Sequence, residues 1–116
     1  MKKSAFPVTP VPRQDSLNVL PLKGEIDLNV SPAITDSLNA MTEKQPERIV
    51  IDLSHATYID SAGLAALIIA MREVESYGGK FFLTGLNETV RSVLESSRLE
   101  QIFRIFPDVD AALATS

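Results

Sequence analysis

Apolar residues along this chain change period several times, and each change marks an element. Ile49-Val50-Ile51-Asp52-Leu53 is the near-continuous apolar run of a strand covered on both faces. After it, Leu64, Leu67, Ile68, Met71 and Val74 recur at helical spacing, and Gly78-Gly79 supplies a left-handed closure near Tyr77. Ser54 to Tyr58 reads as the connection, with the helix running from Ala62. Within Tyr58-Ile59-Asp60-Ser61-Ala62-Gly63-Leu64, Ser61 falls at the strand-to-helix junction, where an N-cap belongs.

The same alternation recurs on both sides. Leu17 to Lys23 is apolar enough for a strand, although Pro21 lacks a ladder donor and asks for an edge, a bulge or an unpaired position. Gly24-Glu25-Ile26-Asp27-Leu28 leads out of it towards a helix, with Ser31 as N-cap and Pro32 at the first helical position. Ile34, Leu38 and Met41 keep one face of that helix apolar until Pro46 stops it. Lys80 to Thr84 predicts a further strand; Gly85 turns the chain, and a helix starts at Asn87 with Val90, Val93 and Leu94 inward. Ile102 to Phe106 reads as a last short strand or extended segment, and Pro107-Asp108 opens a terminal helix. Strands alternating with helices predict a single α/β domain over residues 16–116, a mixed and mostly parallel sheet of four to five strands with helices packed against it. Residues 1–15 are proline-rich and read as a flexible or edge-strand segment, Val8 and Val11 being the hints of a strand.

Composition narrows the function classes. A chain of 116 residues with 45% hydrophobic content is a folded globule with one modest core. Its formal charge of −4 argues against nucleic acid or an anionic membrane as the main partner. Charges interrupt every apolar run well short of the roughly 18 residues a bilayer span needs. Two lysines near the start have no apolar stretch behind them, so no signal peptide is expected. Zero cysteines remove disulfides, thiolate metal sites and cysteine nucleophiles, and suit a cytoplasmic protein. A protein or a small molecule is left as the partner.

Ser61 is the first candidate for chemistry. The plain reading is a cap and nothing more. The functional reading comes from the helix behind it, where Ser61, Ala65, Ile69, Arg72 and Ser76 share one side, away from the core stripe. Ile69 with Ala62, Ala65 and Ala66 makes a flat, weakly apolar surface beside the hydroxyl, suited either to a docking protein or to burial against a neighbouring helix. A serine hydrolase would need Gly-x-Ser-x-Gly; Ile59 stands upstream of Ser61, only Gly63 matches, and His55 is the one imidazole. A phospho-aspartate receiver centred on Asp52 would need Glu25 and Asp27 to help hold Mg²⁺. Asp27 and Asp60 otherwise ring the Ser61 surface or solvate loops. No glycine-rich phosphate loop or metal-ligand cluster is present, so no catalytic group, cofactor or metal is expected.

Gly24-Glu25-Ile26-Asp27, the strand Ile49 to Leu53, the Asp60-Ser61-Ala62-Gly63-Leu64 motif, Gly78-Gly79 and Asn87 to Leu99 together resemble the STAS superfamily, specifically its stand-alone anti-sigma factor antagonists, over about Ser16 to Ala114. The resemblance implies a non-enzymatic cytoplasmic protein in a partner-switching cycle. Unmodified, it would bind an anti-sigma factor that is itself a serine kinase, through Asp27, Asp60, Ser61, Ala62, Gly63, Ala65, Ile69 and Arg72. Phosphorylation at Ser61 would release it and a serine phosphatase would restore it, so regulating transcription. Ala62, where the family often has a second serine or threonine, leaves one phosphoacceptor at this site. The resemblance also admits a scaffold or transporter-associated STAS domain whose serine is never modified.

Overall fold

The computed structural model describes residues 9–10 and 17–115; Val8, Val11 and most of the expected N-terminal segment lie outside them. Among the described residues five strands form one sheet in chain order: β1 (Thr9–Pro10), β2 (Leu17–Ile26), β3 (Arg48–Ile59), β4 (Lys80–Thr84) and β5 (Arg104–Phe106). β1 pairs antiparallel with β2, and every other neighbouring pair is parallel. Helices α1 (Ser31–Thr42), α2 (Ser61–Ser76), α3 (Glu88–Ser96) and α4 (Val109–Leu113) supply the connections and the C-terminal cover, with a 3₁₀ turn at Leu99–Gln101.

Side-chain alternation along the strands explains why β3 reads as continuously apolar. Ile49, Ile51 and Leu53 join the main core under α1, α2 and α3, while Val50 points the other way, to Phe82 and Ala112 beneath α4. The helix stripes foreseen from spacing face inward: Ile34, Leu38 and Met41 on α1, Leu64, Leu67, Met71 and Val74 on α2, and Val90 and Leu94 on α3 are buried, while Ile68 and Val93 are only partly buried against the same core. On the α4 side the core is thinner, a T-shaped Phe82–Phe106 pair at 4.9 Å with the Arg104 guanidinium 5.0 Å from the Phe82 ring. Here Arg48 Nη1 donates to the Leu113 carbonyl at 3.2 Å, tying α4 to the strand it covers.

Local chemistry bounds the helices where expected in three places. Gly78, at φ +89, closes α2: its N–H donates to Glu75 O (3.0 Å) and that of Gly79 to Val74 O (2.9 Å), the paired bonds of a Schellman ending. Asn87 caps α3 through Oδ1, which accepts from Val90 N at 2.8 Å, and Asp108 caps α4 through Ala111 N at 2.8 Å. Near the α2 ending, Tyr77 Oη donates to Pro46 O at 2.9 Å, and burial raises the phenol's pKa above its usual value.

Three expectations are corrected. Ser54 to Tyr58 is strand, because β3 continues to Ile59 in register with Lys23 to Ile26. Gly24 to Ile26 likewise belongs to β2, and the strain of Pro21 is absorbed by a register shift between Pro21 and Lys23. The polar run Ser54-His55 and Thr57-Tyr58 hid this extension: those residues are exposed, and only Ala56 and Ile59 are buried there. Neither Ser31 nor Ser61 is an N-cap; each is the first residue of its helix, after Val30 and Asp60 respectively.

Candidate functional site

β2 and β3 outrun the rest of the sheet, since β4 stops pairing at Asp52↔Thr84 while β2 follows β3 to Ile26↔Ile59. Ser61 sits just beyond the tip of this two-stranded arm. Asp60 is held extended (φ −110°, ψ −174°), and its N–H donates to the Ile26 carbonyl at 3.0 Å, so it still bonds to β2 as its successor turns helical. That bond decides which of two good capping residues caps. Asp60 Oδ1 accepts from Gly63 N at 3.0 Å, and the Asp60 carbonyl accepts from Leu64 N at 2.9 Å.

Relieved of capping, the Ser61 hydroxyl is exposed and makes no hydrogen bond among the described residues. The helix is pressed against the arm at Gly63, which is buried: a Cβ there would lie 2.6 Å from Ile26 O and 2.9 Å from both Ile26 Cγ2 and Ile59 Cγ1. Gly63 is thus a close-approach residue more than a contact surface. Asp27, one residue past Ile26↔Ile59, comes beside Asp60; its Oδ1 accepts from Asn29 N at 3.0 Å, and its carbonyl accepts from Val30 N and Ser31 N. Two acidic residues therefore share the tip of the arm with Ser61.

Along α2, Ala65, Ile69 and Arg72 are exposed and Ala62 is half-buried. The neighbouring α1 packs on the Ala66–Ala70 side instead, leaving a hollow of about 30 Å³ bordered by Thr35, Asn39, Ala66 and Ile69. Burial of the Ile69 face against a neighbouring helix, the alternative allowed by spacing, is not what the fold does. Large exposed apolar side chains among the described residues are Ile69 (60% exposed), Leu28 (70%), Tyr58 (43%) and Ile102; Leu28 follows Asp27 in the chain, Tyr58 lies two residues before Asp60, and Ile69 lies about two turns along α2 from Ser61. Leu28 and Tyr58 escaped sequence reasoning. The signal was there: Leu28 is apolar in a polar loop, and Tyr58 lies outside both the strand and helix periods.

The catalytic alternatives find no support in this geometry. His55 Nδ1 lies 3.2 Å from Ser54 Oγ on β3, committed away from Ser61. Asp52 is paired inside β3 and accepts from Ser54 N at 3.0 Å. Glu25 is in register with Tyr58 and Asp27 lies beyond it, roughly 20 Å along the strand from Asp52. Asp52 does border an acidic cleft of about 300 Å³ with Ser54, Asp108 and Asp110, but no metal-competent group of acidic or imidazole side chains forms among the described residues.

Comparison with known proteins places this arrangement in context. The STAS domain family matches residues 9–112. The anti-sigma-F factor antagonist RsfB of Mycobacterium tuberculosis is 30% identical over 95 residues, covering 82% of this chain and 77% of the relative. The crystal structure of an anti-sigma factor antagonist from Mycobacterium paratuberculosis superposes with TM-score 0.80 at 25% identity, covering 97% of each chain. The phosphorylated form of the Bacillus cell fate determinant SpoIIAA superposes with TM-score 0.73 at 22% identity, over 97% of this chain and 100% of that one, a likeness of fold alone. No helix among the described residues is long and apolar enough to cross a membrane. The chain, with its mostly parallel sheet and its serine at the tip of the β2–β3 arm, belongs to the STAS domain family.

Proposed function

We propose that this protein is an anti-sigma factor antagonist switched by phosphorylation at Ser61, with no catalytic activity of its own. Unmodified, it binds an anti-sigma factor serine kinase through the surface made by Asp27, Asp60, Ser61, Ala62, Ala65, Ile69 and Arg72. The observation that carries this reading is the Ser61 hydroxyl, exposed at the first position of α2 and free of any hydrogen bond among the described residues. An uncommitted hydroxyl is what a kinase needs. Its oxygen forms the bond to the γ-phosphorus, the bond from that phosphorus to the bridging oxygen breaks, the nucleoside diphosphate leaves, and the hydroxyl proton passes to a base of the kinase. The relatives named as anti-sigma factor antagonists support the antagonist role.

Release follows from charge and size. The phosphoryl group adds about −1.5 to −2 charges at a point where the partner had faced a neutral hydroxyl. A serine phosphatase then resets the cycle. The test is intact-mass and peptide mapping after co-expression with serine kinases encoded nearby, which should place one phosphoryl group on Ser61. Ser61→Asp should retain the fold and bind the partner several-hundred-fold more weakly, a loss of about 3 to 4 kcal/mol. An unmodified Ser61 together with unchanged affinity of the Asp variant would favour a scaffold or transporter-associated role instead.

A further inference from the structure

We infer that Asp60 is the positioning residue of the Ser61 switch, with two linked duties. As the N-cap it takes the Gly63 N–H, so the adjacent serine owes nothing to the helix and its hydroxyl stays free. As a fixed anion beside that hydroxyl, it keeps a phosphoryl group on Ser61 from folding back onto the helix N-terminus. This inference rests on the reading of Ser61 as the phosphoacceptor.

A phosphoryl group at the first turn of a helix ordinarily turns towards the free N–H groups and the positive end of the dipole. In α2 that position is already occupied by a carboxylate. Asp60 Oδ1 holds the Gly63 amide at 3.0 Å, and Leu64 N is bonded to the Asp60 carbonyl, which leaves the amides of Ser61 and Ala62 as the open donors. The charged groups around them are mostly of one sign. Asp60 and Asp27 share the tip of the arm with Ser61, and Glu25 lies further down the arm in register with Tyr58. Among the described residues of β2 and α2, the cations are Lys23, lower on β2, and Arg72, some three turns along α2. With Asp27 beside it, Asp60 repels a dianion and turns it outward into solvent. That orientation presents the group to a phosphatase and holds it against any docking partner, two things a reversible switch needs. Asparagine at position 60 would cap equally well through its side-chain oxygen but carry no charge. The two duties can therefore be separated.

The experiment inserts phosphoserine at position 61 during translation, in the parent and in Asp60→Asn, and follows the phosphoryl group by ³¹P NMR titration beside thermal unfolding of each protein with and without the phosphate. In the parent, the second ionisation should lie at or above its ordinary value of about 6. In Asp60→Asn it should fall by about half a unit or more, as the group turns to the helix amides. Phosphorylation should also raise the melting temperature of Asp60→Asn more than that of the parent. Indistinguishable ionisation in the two proteins would overturn the inference, as would a parent value well below the ordinary one. Because the phosphate is installed without a kinase, failure of this inference is separable from failure of the proposed function: an unmodified Ser61 in cells would sink the latter and leave these measurements untouched.

Discussion

α1 and α2 each follow a parallel strand, each lie on the same face of the sheet, and each have a serine as the first helical residue. Their entrances differ in every other respect. α1 begins after Val30, whose αR backbone (φ −104°, ψ −13°) offers no side-chain cap; a turn from Asp27 feeds it, and the half-buried Ser31 points its Oγ back towards Leu28 O at 3.5 Å. α2 begins after an extended, charged cap pinned to β2, and the Ser61 hydroxyl is left in the open. Pro32 stiffens the first turn of α1, and a half-buried Ala33 follows it. In α2 the equivalent position is Gly63, jammed against β2. One entrance is built for packing and the other for presenting a hydroxyl, and the sequence marks both with the same residue type.

The sharpest way to break this contrast is Gly63→Ala. The third residue of α1 already carries a Cβ, but at Gly63 the added methyl would meet backbone, the Ile26 carbonyl at 2.6 Å, which cannot rotate away. We expect a loss of about 3 kcal/mol in urea unfolding, the upper part of the range for overpacking. A loss under about 1 kcal/mol would mean the helix can lift off the arm, and the close approach would not be what places Ser61.

Next in size is an effect on binding alone. Ile69→Glu places a charge on a residue that is 60% exposed, so unfolding free energy should change by no more than about 0.5 kcal/mol. Affinity for the anti-sigma factor should fall by about 2 kcal/mol or more, read by calorimetry. The opposite pattern, a protein that melts early yet binds normally, would move the docking surface elsewhere, to Tyr58 on the arm and Leu28 in the turn after β2.

Much of this was readable from residues alone, for identifiable reasons. The core stripes of α1, α2 and α3 follow from period, and the Gly78-Gly79 and Asn87 signals work through local backbone chemistry that tertiary context leaves alone. What failed was decided by long-range pairing. Ser54 to Tyr58 looks like a loop because it has one covered face and polar residues on the other; its strand character comes from Lys23 to Ile26, about thirty residues upstream. The cap of α2 failed for the same reason. Asp and Ser are near-equal caps, and the bond from Asp60 N to Ile26 O, which breaks the tie, joins residues far apart in sequence. A neighbouring pair of good capping residues is itself the warning that local rules cannot choose between them.

A moderate effect tests that tie directly. Asp60→Ala removes the acceptor of the Gly63 N–H and the negative charge at the dipole's positive end, and should cost about 1 kcal/mol. The part of that loss that comes from the charge is screened by salt, so it should be largest in urea unfolding at low ionic strength.

The smallest expected effect is the most discriminating. If Ser61 were the cap, Ser61→Ala would cost about 1 kcal/mol, as removal of a capping hydroxyl does. In this structure the hydroxyl has no partner among the described residues, the capping bond runs from Gly63 to Asp60, and alanine is the better helix former at an exposed first-turn position. The substitution should leave stability within about 0.5 kcal/mol of the parent, and a slight gain is allowed. Urea unfolding of Ser61→Ala beside Asp60→Ala therefore assigns the cap: near-neutral against a clear loss puts it on Asp60, while the reverse order returns it to Ser61. In that case the hydroxyl would be bound to the helix it opens, and any kinase would have to break a capping bond before it could react.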